Sequence, residues 1–341
     1  MNAMVLTKIQ EVGPGASPLE AREVPTPEPG PGQIRIRVTA CGVCHTELDE
    51  IEGRTAPPVL PVVPGHEIVG RIDVCGSEAT LHAPGDRVGV GWIFDACGHC
   101  DYCREGRENL CADFRATGRD ADGGYAEFIV VPEASAYPIP ESFDDAEAAP
   151  LLCAGGVGYR SLELAQIEDD QTLGFVGFGA SAHLVLQMAR HRYPNARLLV
   201  FSRSGRKQQF ARELGADWAA APGTEPPDAP DAIIDTTPVW RPVEQGMRML
   251  APGGRLVINA IRKTDADKDA LLDIDYGTHL WMEKELVTVA NVTREDIRGA
   301  LELADRAWIR PTVATYPLDE ANRALVELAA GSGRGAKVLV V

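Results

Sequence analysis

Between residues 150 and 290, short apolar segments alternate with longer segments of helical periodicity. The predicted strands cover 172–176, 198–202, 232–235 and 255–259, and the predicted helices cover 180–190, 206–214 and 243–250. In such an alternation each helix crosses over between neighbouring parallel strands. This part of the chain is therefore predicted to form an α/β fold with a doubly wound parallel sheet.

A glycine-rich motif follows the first of these strands. It comprises Gly177, Gly179, Ala180, Ser181 and Ala182, and it leads directly into the first predicted helix. Glycines at such a turn let the backbone approach a pyrophosphate, and the N-terminus of the helix attracts its negative charge. Alanine is an accepted variant at the third position of the motif. The motif therefore predicts a dinucleotide-binding domain.

The end of the second strand bears on the choice between NAD(H) and NADP(H). NAD-binding proteins place an acid about 20 residues beyond the motif, where it accepts hydrogen bonds from the ribose hydroxyls. Ser202 occupies this position, Arg203 follows it, and Lys207 is nearby. Because cations stabilise a 2′-phosphate through charge-assisted hydrogen bonds, we expect NADP(H) to be preferred. The alternative is that Arg203 and Lys207 are solvated charges on the next helix.

The two ends of the chain have other patterns. Short β-branched segments at 33–38, 68–74 and 86–90 are separated by loops rich in Pro and Gly, which predicts an antiparallel β domain. Helices are predicted near 295–307 and 319–330, and strands near 312–316 and 336–341. A chain of 341 residues is long enough for two domains, each with its own core.

Four cysteines, Cys97, Cys100, Cys103 and Cys111, are separated by two, two and seven residues. Thiolates at this spacing can surround one tetrahedral zinc ion, and four sulfur ligands leave no position for substrate. The spacing therefore predicts a structural zinc site. The alternative is a pair of disulfides, although clustered disulfides are rare in large chains without a secretory leader.

A second set of candidate ligands is dispersed along the chain. Cys41 and Cys44 lie in one segment, His66 lies further on, and Cys153 lies near the start of the dinucleotide-binding region. Two cysteines and a histidine can hold one zinc while leaving a fourth position for water or substrate, as a catalytic site requires. Taken singly, His66 could equally be a core or surface histidine, and Cys153 a small core residue.

Four motifs occur in order: Gly-Val-Cys-His-Thr-Glu-Leu at 42–48, Pro-Gly-His-Glu at 64–67, the four-cysteine run, and Leu-Cys-Ala-Gly at 152–155. In these motifs the chain resembles the zinc-dependent alcohol dehydrogenases of the medium-chain dehydrogenase/reductase superfamily. The resemblance implies a β-rich GroES-like catalytic domain over 1–150, with a structural zinc lobe at 91–113. It further implies a Rossmann domain over 151–288 and a segment, 289–341, that returns to the catalytic domain.

The same resemblance implies the ligands of a catalytic zinc. The family's ligand cysteine directly precedes the His-Thr pair, which selects Cys44 rather than Cys41; His66 and Cys153 complete the set. Cys41 and Cys75 are then left over, and we expect them to be buried or inert.

Two acidic residues acquire implied roles beside this zinc. Glu67 could replace a ligand transiently, the alternative being a solvated acid at the start of a strand. Glu47 is placed to hold the imidazole of His66, where many relatives have the shorter Asp. A carboxylate in that position fixes the orientation of a ligand and tunes its basicity.

The implied reaction is reversible hydride transfer between a primary or secondary alcohol and NADP(H), with zinc polarising the substrate oxygen. Thr46 would take the hydroxyl proton, and His45 would face the cofactor pyrophosphate. Asp49 stands where relatives often carry a relay histidine, and either Asp49 or a chain of water molecules could carry the proton onward. We expect Asp49 to be exposed, and the acids Glu50 and Glu52 to add negative charge nearby.

Three residues are expected near the substrate or the nicotinamide: Trp92, Asn259 and Ile261. As pocket walls they favour an apolar alcohol or aldehyde of small to moderate size, the alternative for Trp92 being a core aromatic residue. A zinc polyol or amino-alcohol dehydrogenase is the runner-up among enzymes. A zinc protein that binds NADPH for a redox-sensing or structural role is the alternative outside enzymes.

The charge and hydropathy of the chain limit its partners and location. With 33 Lys and Arg against 50 Asp and Glu, the net charge is −17, which excludes a nucleic-acid partner. No secretory signal and no apolar run of about 20 residues is present. We therefore expect a cytoplasmic protein. We also expect a homodimer or homotetramer.

Overall fold

The computed structural model describes residues 1–331 and 335–341. These residues form two compact units. The first comprises Met1–Gly156, Val292–Asp305 and Arg310–Val341, and the second comprises Val157–Asn291 and Arg306–Ile309. The chain passes from the first unit to the second after Gly156 and returns after Asn291. The domain boundaries expected from sequence, after residues 150 and 288, lie a few residues earlier. The short Arg306–Ile309 segment, which belongs to the second unit, was not expected.

The strands, in chain order, are β1 (Asn2–Leu6), β2 (Leu19–Glu23), β3 (Gln33–Val43), β4 (Ile68–Cys75), β5 (Arg87–Val90), β6 (Ile93–Asp95), β7 (Arg115–Ala116), β8 (Phe128–Pro132), β9 (Ala136–Pro138), β10 (Thr172–Val176), β11 (Arg197–Phe201), β12 (Trp218–Ala220), β13 (Ala232–Asp235), β14 (Arg255–Ile258), β15 (Glu285–Thr288), β16 (Val313–Pro317) and β17 (Ala336–Val340).

The α-helices are α1 (His45–Ile51), α2 (Asp101–Arg104), α3 (Asp145–Ala148), α4 (Ala154–Ala165), α5 (Ala180–Arg192), α6 (Gly205–Glu213), α7 (Arg241–Met249), α8 (Arg294–Arg306) and α9 (Ala321–Ala329). Short 3₁₀ helices cover Glu108–Leu110, Glu133–Ser135, Ala149–Leu152, Asp265–Asp273 and Leu318–Glu320, and one π-helical turn covers Tyr276–Leu280.

The second unit is built on a six-stranded parallel sheet. Its strand order is β12-β11-β10-β13-β14-β15, and every neighbouring pair is parallel. All five residues of β10 and all four of β13 are buried, as is usual for parallel strands covered on both faces. The predicted doubly wound sheet is therefore confirmed. It places the carboxyl ends of β10, β11 and β14 at one edge, where α/β folds bind their ligands.

The first unit is built on a seven-stranded mixed sheet with the order β16-β17-β3-β4-β5-β9, in which β8 also pairs with β3. The last strand of the chain returns to this sheet, because Leu339 of β17 pairs with Cys41 of β3. The pairs are antiparallel, as predicted, except that β16 and β17 are parallel. The β-rich domain expected from sequence is therefore present.

The long strand β3 shows why the sheet packs as it does. Ile34, Ile36 and Val38 are buried, while Arg35 and Arg37 between them point to the other face, the two-residue period of a strand with one covered face. Among the described residues, no helix is both long and apolar enough to span a membrane.

Candidate metal centres and cofactor site

The four-cysteine loop folds around its own sulfur atoms. Cys97 follows β6, Cys100 is the N-cap of α2, Cys103 lies within that helix, and Cys111 ends the Glu108–Leu110 turn. The four sulfur atoms lie within 4.8 Å of one another. The Cys97 and Cys103 sulfurs are 3.9 Å apart, whereas a disulfide bond measures about 2.05 Å, and all eight cysteines are free thiols.

This cluster has the donor chemistry of a structural zinc site. Hydrogen bonds from the backbone at His99 and Cys100 lower the pKa of Cys97 to about 6, which favours the thiolate form that ligates metal. Desolvation and a hydrogen bond with Cys100 raise the pKa of Cys103 to about 12. A divalent cation would displace the remaining protons and offset the repulsion among four thiolates. The four residues therefore fit zinc.

The second set of candidate ligands also converges. Cys44 is the N-cap of α1, and its sulfur lies 3.7 Å from Nε2 of His66. Cys153 lies between the Ala149–Leu152 turn and α4. One ligand atom from each of Cys44, His66, Glu67 and Cys153 falls within a group spanning 4.8 Å. Cys41 is buried within β3, outside this group.

This donor set fits a catalytic zinc. Two sulfurs and one imidazole nitrogen are a known combination that leaves a fourth position open. A hydrogen bond with Cys153, together with burial, holds the pKa of Cys44 well above its ordinary value. A bound cation would reverse that effect, because the thiolate is the form that ligates metal.

Glu47 makes two contacts with these ligands. Its Oε1 lies 2.5 Å from Nδ1 of His66, and both side chains are buried. Its Oε2 accepts a hydrogen bond of 2.8 Å from the backbone N–H of Cys44, which closes a capping box at the start of α1. One glutamate thus fixes the imidazole and the helix end that carries the sulfur.

Glu67 is 2% exposed, so it is not the solvated acid of the alternative interpretation. A Cβ atom at Gly42 would lie 1.7 Å from Oε2 of Glu67, and glycine is therefore required there. Burial raises the pKa of Glu67 to about 8. The chain thus keeps a buried carboxyl group beside the three candidate ligands.

Helix α1 carries the candidate proton-relay residues, and one expectation about them is wrong. Thr46 is buried and His45 is exposed. Asp49 is not an exposed acid: it is 1% exposed, and its Oδ1 accepts a 2.6 Å hydrogen bond from Nε of Arg54. The turn after α1 folds back so that the guanidinium reaches this carboxylate. Glu50, which was expected to add negative charge near Asp49, is also buried.

The glycine motif forms the turn between β10 and α5. Gly177 has a φ of +84°, and a Cβ there would lie 2.6 Å from Oγ1 of Thr236. Gly179 is the N-cap of α5, with no other atom within 4 Å of where its Cβ would be. Ala180 is exposed and Ala182 is fully buried. The helix N-terminus is therefore open to an anion, as a pyrophosphate site requires.

The loop after β11 contains no acid. Ser202 is buried, and its carbonyl oxygen accepts a 2.7 Å hydrogen bond from Nε2 of Gln208. Arg203 and Lys207 are exposed, and Lys207 lies in the first turn of α6. Two cationic side chains thus flank the strand end at which dinucleotide-binding folds recognise the adenosine ribose.

Asn259 directly follows β14 in the second unit. Its Nδ2 donates hydrogen bonds to Oγ of Ser161 at 2.5 Å and to Oγ of Ser181 at 3.4 Å. These contacts tie the end of β14 to the glycine motif. Ile261, two residues further, is 50% exposed.

Trp92 belongs to the first unit and is partly exposed. Its ring lies 5.3 Å from that of Phe114, and the guanidinium carbon of Arg119 lies 5.7 Å from the ring centroid. The residue is therefore not a fully enclosed core aromatic.

A GroES-like β domain that carries two zinc-type clusters, accompanied by a Rossmann-type sheet with an open glycine motif, defines the class of two-domain zinc dehydrogenases. Comparison with known proteins agrees. Residues 30–141 match the alcohol dehydrogenase GroES-like domain family. The chain is 41% identical to the "Probable alcohol dehydrogenase AdhA" of Mycobacterium tuberculosis over 98% of its length and 96% of that protein.

It is also 32% identical to an alcohol dehydrogenase of Geobacillus stearothermophilus, over 94% of its length and 95% of the relative. Among solved structures, a zinc-binding dehydrogenase from Sinorhizobium meliloti 1021, bound to NADP, superposes with a TM-score of 0.86 at 27% identity, covering 100% of this chain and 99% of that one. The chain belongs to the zinc-dependent alcohol dehydrogenases of the medium-chain dehydrogenase/reductase superfamily.

Proposed function

We propose that this alcohol dehydrogenase holds one catalytic and one structural zinc ion and oxidises primary or secondary alcohols reversibly with NADP(H). The observation that carries the proposal is the convergence of Cys44, His66 and Cys153, with His66 held by a buried carboxylate. When bound, zinc supplies Lewis acidity toward the substrate oxygen, and the nicotinamide supplies hydride chemistry.

The chain's own residues then bind, orient and move protons. Glu47 keeps Nδ1 of His66 engaged, so that Nε2 faces the ligand cluster. Thr46 is the hydroxyl residue beside Cys44, and we assign it the role of first acceptor of the substrate proton. His45, exposed on the first turn of α1, is assigned to the cofactor pyrophosphate. Glu67 is assigned to transient exchange with a zinc ligand.

The test of this function is a panel of alcohols and aldehydes assayed with NADP(H) and NAD(H), following the absorbance of the reduced nicotinamide. The partly exposed Trp92–Phe114 pair supports apolar substrates of small to moderate size. Binding of NADPH without turnover of any member of the panel would instead support the non-enzymatic alternative.

Replacing Ser202 by Asp is expected to shift cofactor preference toward NAD(H). The new carboxylate would accept hydrogen bonds from the ribose hydroxyls and repel a 2′-phosphate. One charged contact is worth about 1.5–3 kcal/mol, so the ratio of kcat/KM values for the two cofactors should change by about 10- to 150-fold. Ser202→Ala is the matched control, because it removes the hydroxyl without adding charge. Equal use of both cofactors by the unmodified protein would contradict the assignment.

Replacing Cys111 by Ser is expected to remove the structural zinc and lower stability while sparing the catalytic cluster. A ligand present at 100 times its Kd stabilises the native state by about 2.7 kcal/mol, so losses of this order are expected in thermal unfolding. Cys75→Ser is the control, because Cys75 lies in neither cluster and its thiol contacts only the His82 carbonyl oxygen, at 3.6 Å, among the hydrogen bonds described. Unchanged zinc content in Cys111→Ser would show that the four-cysteine lobe holds no metal.

We further propose a homodimer or homotetramer in the cytoplasm. Strand β15 is the last strand of the parallel sheet and exposes Leu286, and the segment before it exposes Tyr276, Trp281 and Met282. An open strand edge beside large apolar side chains supports pairing with a second copy. Free thiols are typical of proteins in a reducing compartment such as the cytoplasm.

A further inference from the structure

One buried acid near the catalytic cluster has no role in the mechanism described so far. Glu50 is 1% exposed, and neither of its carboxylate oxygens accepts a hydrogen bond of ordinary geometry from any described residue. Most buried charges are paired, because an unpaired one loses its hydration without compensation. A buried carboxyl group whose one nearby hydrogen-bond donor is the indole of Trp92 therefore calls for a functional explanation.

The position of Glu50 on α1 connects it to Thr46. The two residues are four apart in one helix, so their side chains lie on the same face, with Cβ atoms about 5–6 Å apart. That separation permits proton transfer between them, either directly or through one water molecule. Asp49 lies at a different angle on the helix and is engaged by Arg54 at 2.6 Å. The Asp49 carboxylate is thus held in an ion pair with Arg54.

The groups around Glu50 come from four parts of the first unit. Burial raises its pKa from 4.5 to about 8, and the negative charge of Glu47 adds to the rise; His66, Trp92 and Arg119 act in the opposite direction. Glu47 is on the same helix, His66 precedes β4, Trp92 lies between β5 and β6, and Arg119 follows β7.

We propose that Glu50, and not Asp49, is the proton-relay residue that follows Thr46. In alcohol oxidation a bound nicotinamide would accept the hydride from the substrate C–H bond, and the substrate hydroxyl proton passes to Thr46. Thr46 gives its own hydroxyl proton to the Glu50 carboxylate, which becomes a neutral acid and later releases the proton to water. Carbonyl reduction uses the reverse order, so Glu50 must then begin protonated.

The direction of the pH dependence follows from this sequence. Alcohol oxidation needs ionised Glu50, so turnover should fall as the pH drops through its pKa; carbonyl reduction should fall as the pH rises through it. A cation on the nearby ligands would lower this pKa. In the pH profile of alcohol oxidation, the fall in turnover on the acidic side, here called the acidic limb, should therefore have its midpoint between pH 4.5 and about 8 in the zinc-loaded enzyme.

The experiment compares the wild type with Glu50→Gln, Glu50→Asp and Asp49→Asn, all with zinc content measured, as pH profiles of kcat for alcohol oxidation. Glu50→Gln should lower kcat by about 100-fold, the lower end of general-base contributions, and abolish the acidic limb. Glu50→Asp should keep the limb with a smaller loss of kcat. Asp49→Asn should lose less than about tenfold and keep the limb.

A second measurement does not depend on turnover. In infrared titration of the zinc-loaded protein, the difference spectrum between wild type and Glu50→Gln should contain one protonated carboxylic acid band, which Asp49→Asn retains; burial also raises the pKa of Glu67 to about 8, so its band should be common to all variants and cancel in the difference. A Glu50→Gln enzyme with an intact acidic limb, or an Asp49→Asn enzyme without one, would overturn the proposal. This inference rests on the proposed function: a wild type that turns over no alcohol with either cofactor would refute that function, whereas an active wild type with the wrong variant pattern would refute only the role of Glu50.

Discussion

Replacing His66 by Ala is expected to abolish alcohol oxidation and to remove one zinc ion, leaving the second in place. His66 supplies the imidazole nitrogen among the clustered ligands, 3.7 Å from the Cys44 sulfur. Loss of Lewis-acid stabilisation worth several kcal/mol corresponds to at least about 10³-fold in kcat. Elemental analysis, together with turnover of the purified variant, measures both effects.

Glu47→Gln is expected to have a smaller effect of the same kind than His66→Ala. Glutamine can still close the capping box of α1, so the fold should be kept, but the charged contact with Nδ1 of His66 is lost. Zinc affinity or activity should fall by about 10- to 100-fold, as is usual for partners of metal-ligating histidines.

A His66→Ala protein that keeps two zinc ions and wild-type turnover would show that the ligand cluster is misassigned.

Thr46→Val should have the second largest effect. Valine matches the shape of the buried threonine and leaves intact the backbone N–H that hydrogen-bonds the Cys44 sulfur at 3.3 Å, but it cannot carry a proton. Loss of a positioned proton carrier typically costs 10²- to 10⁴-fold in kcat, with little effect on zinc content.

Thr46→Ser is the matched control for this experiment, because it retains the hydroxyl, and its kcat should stay within about tenfold of the wild type. If Thr46→Val turned over alcohol as fast as Thr46→Ser, the substrate proton would have to leave by a route that avoids this residue.

The parallel sheet was predictable because its signals are local and strong. Strands β10 and β13 are continuous apolar runs, and the glycine motif follows β10 directly, so the predicted bounds of both strands match the structure. Strands β12 and β15 were not predicted. The former has three residues and the latter four, so both are too short for a periodicity to be recognised in the sequence.

Residue types alone offered Cys41, Cys44, His66 and Cys153 as candidate ligands, but the choice of Cys44, His66 and Cys153 depended on motif resemblance, because contacts between segments this far apart in sequence depend on the tertiary fold. Helix α1 was missed because its N-cap is a cysteine rather than the usual Ser, Thr, Asp or Asn. The state of Asp49 was misjudged because its Arg54 partner lies in a turn whose path the sequence does not specify. The four-residue spacing of Thr46 and Glu50 could have drawn attention to Glu50 once α1 was known to be helical.

The central claim is that turnover depends on one zinc ion at the Cys44–His66–Cys153 cluster while a second zinc has a structural role. The most direct test is to measure zinc per chain and alcohol-dependent NADP⁺ reduction together, in freshly purified protein and during stepwise removal and return of zinc. We predict two zinc ions per chain in active protein, loss of turnover with removal of one, and recovery when zinc is restored. Active protein containing one zinc ion or none would contradict this account.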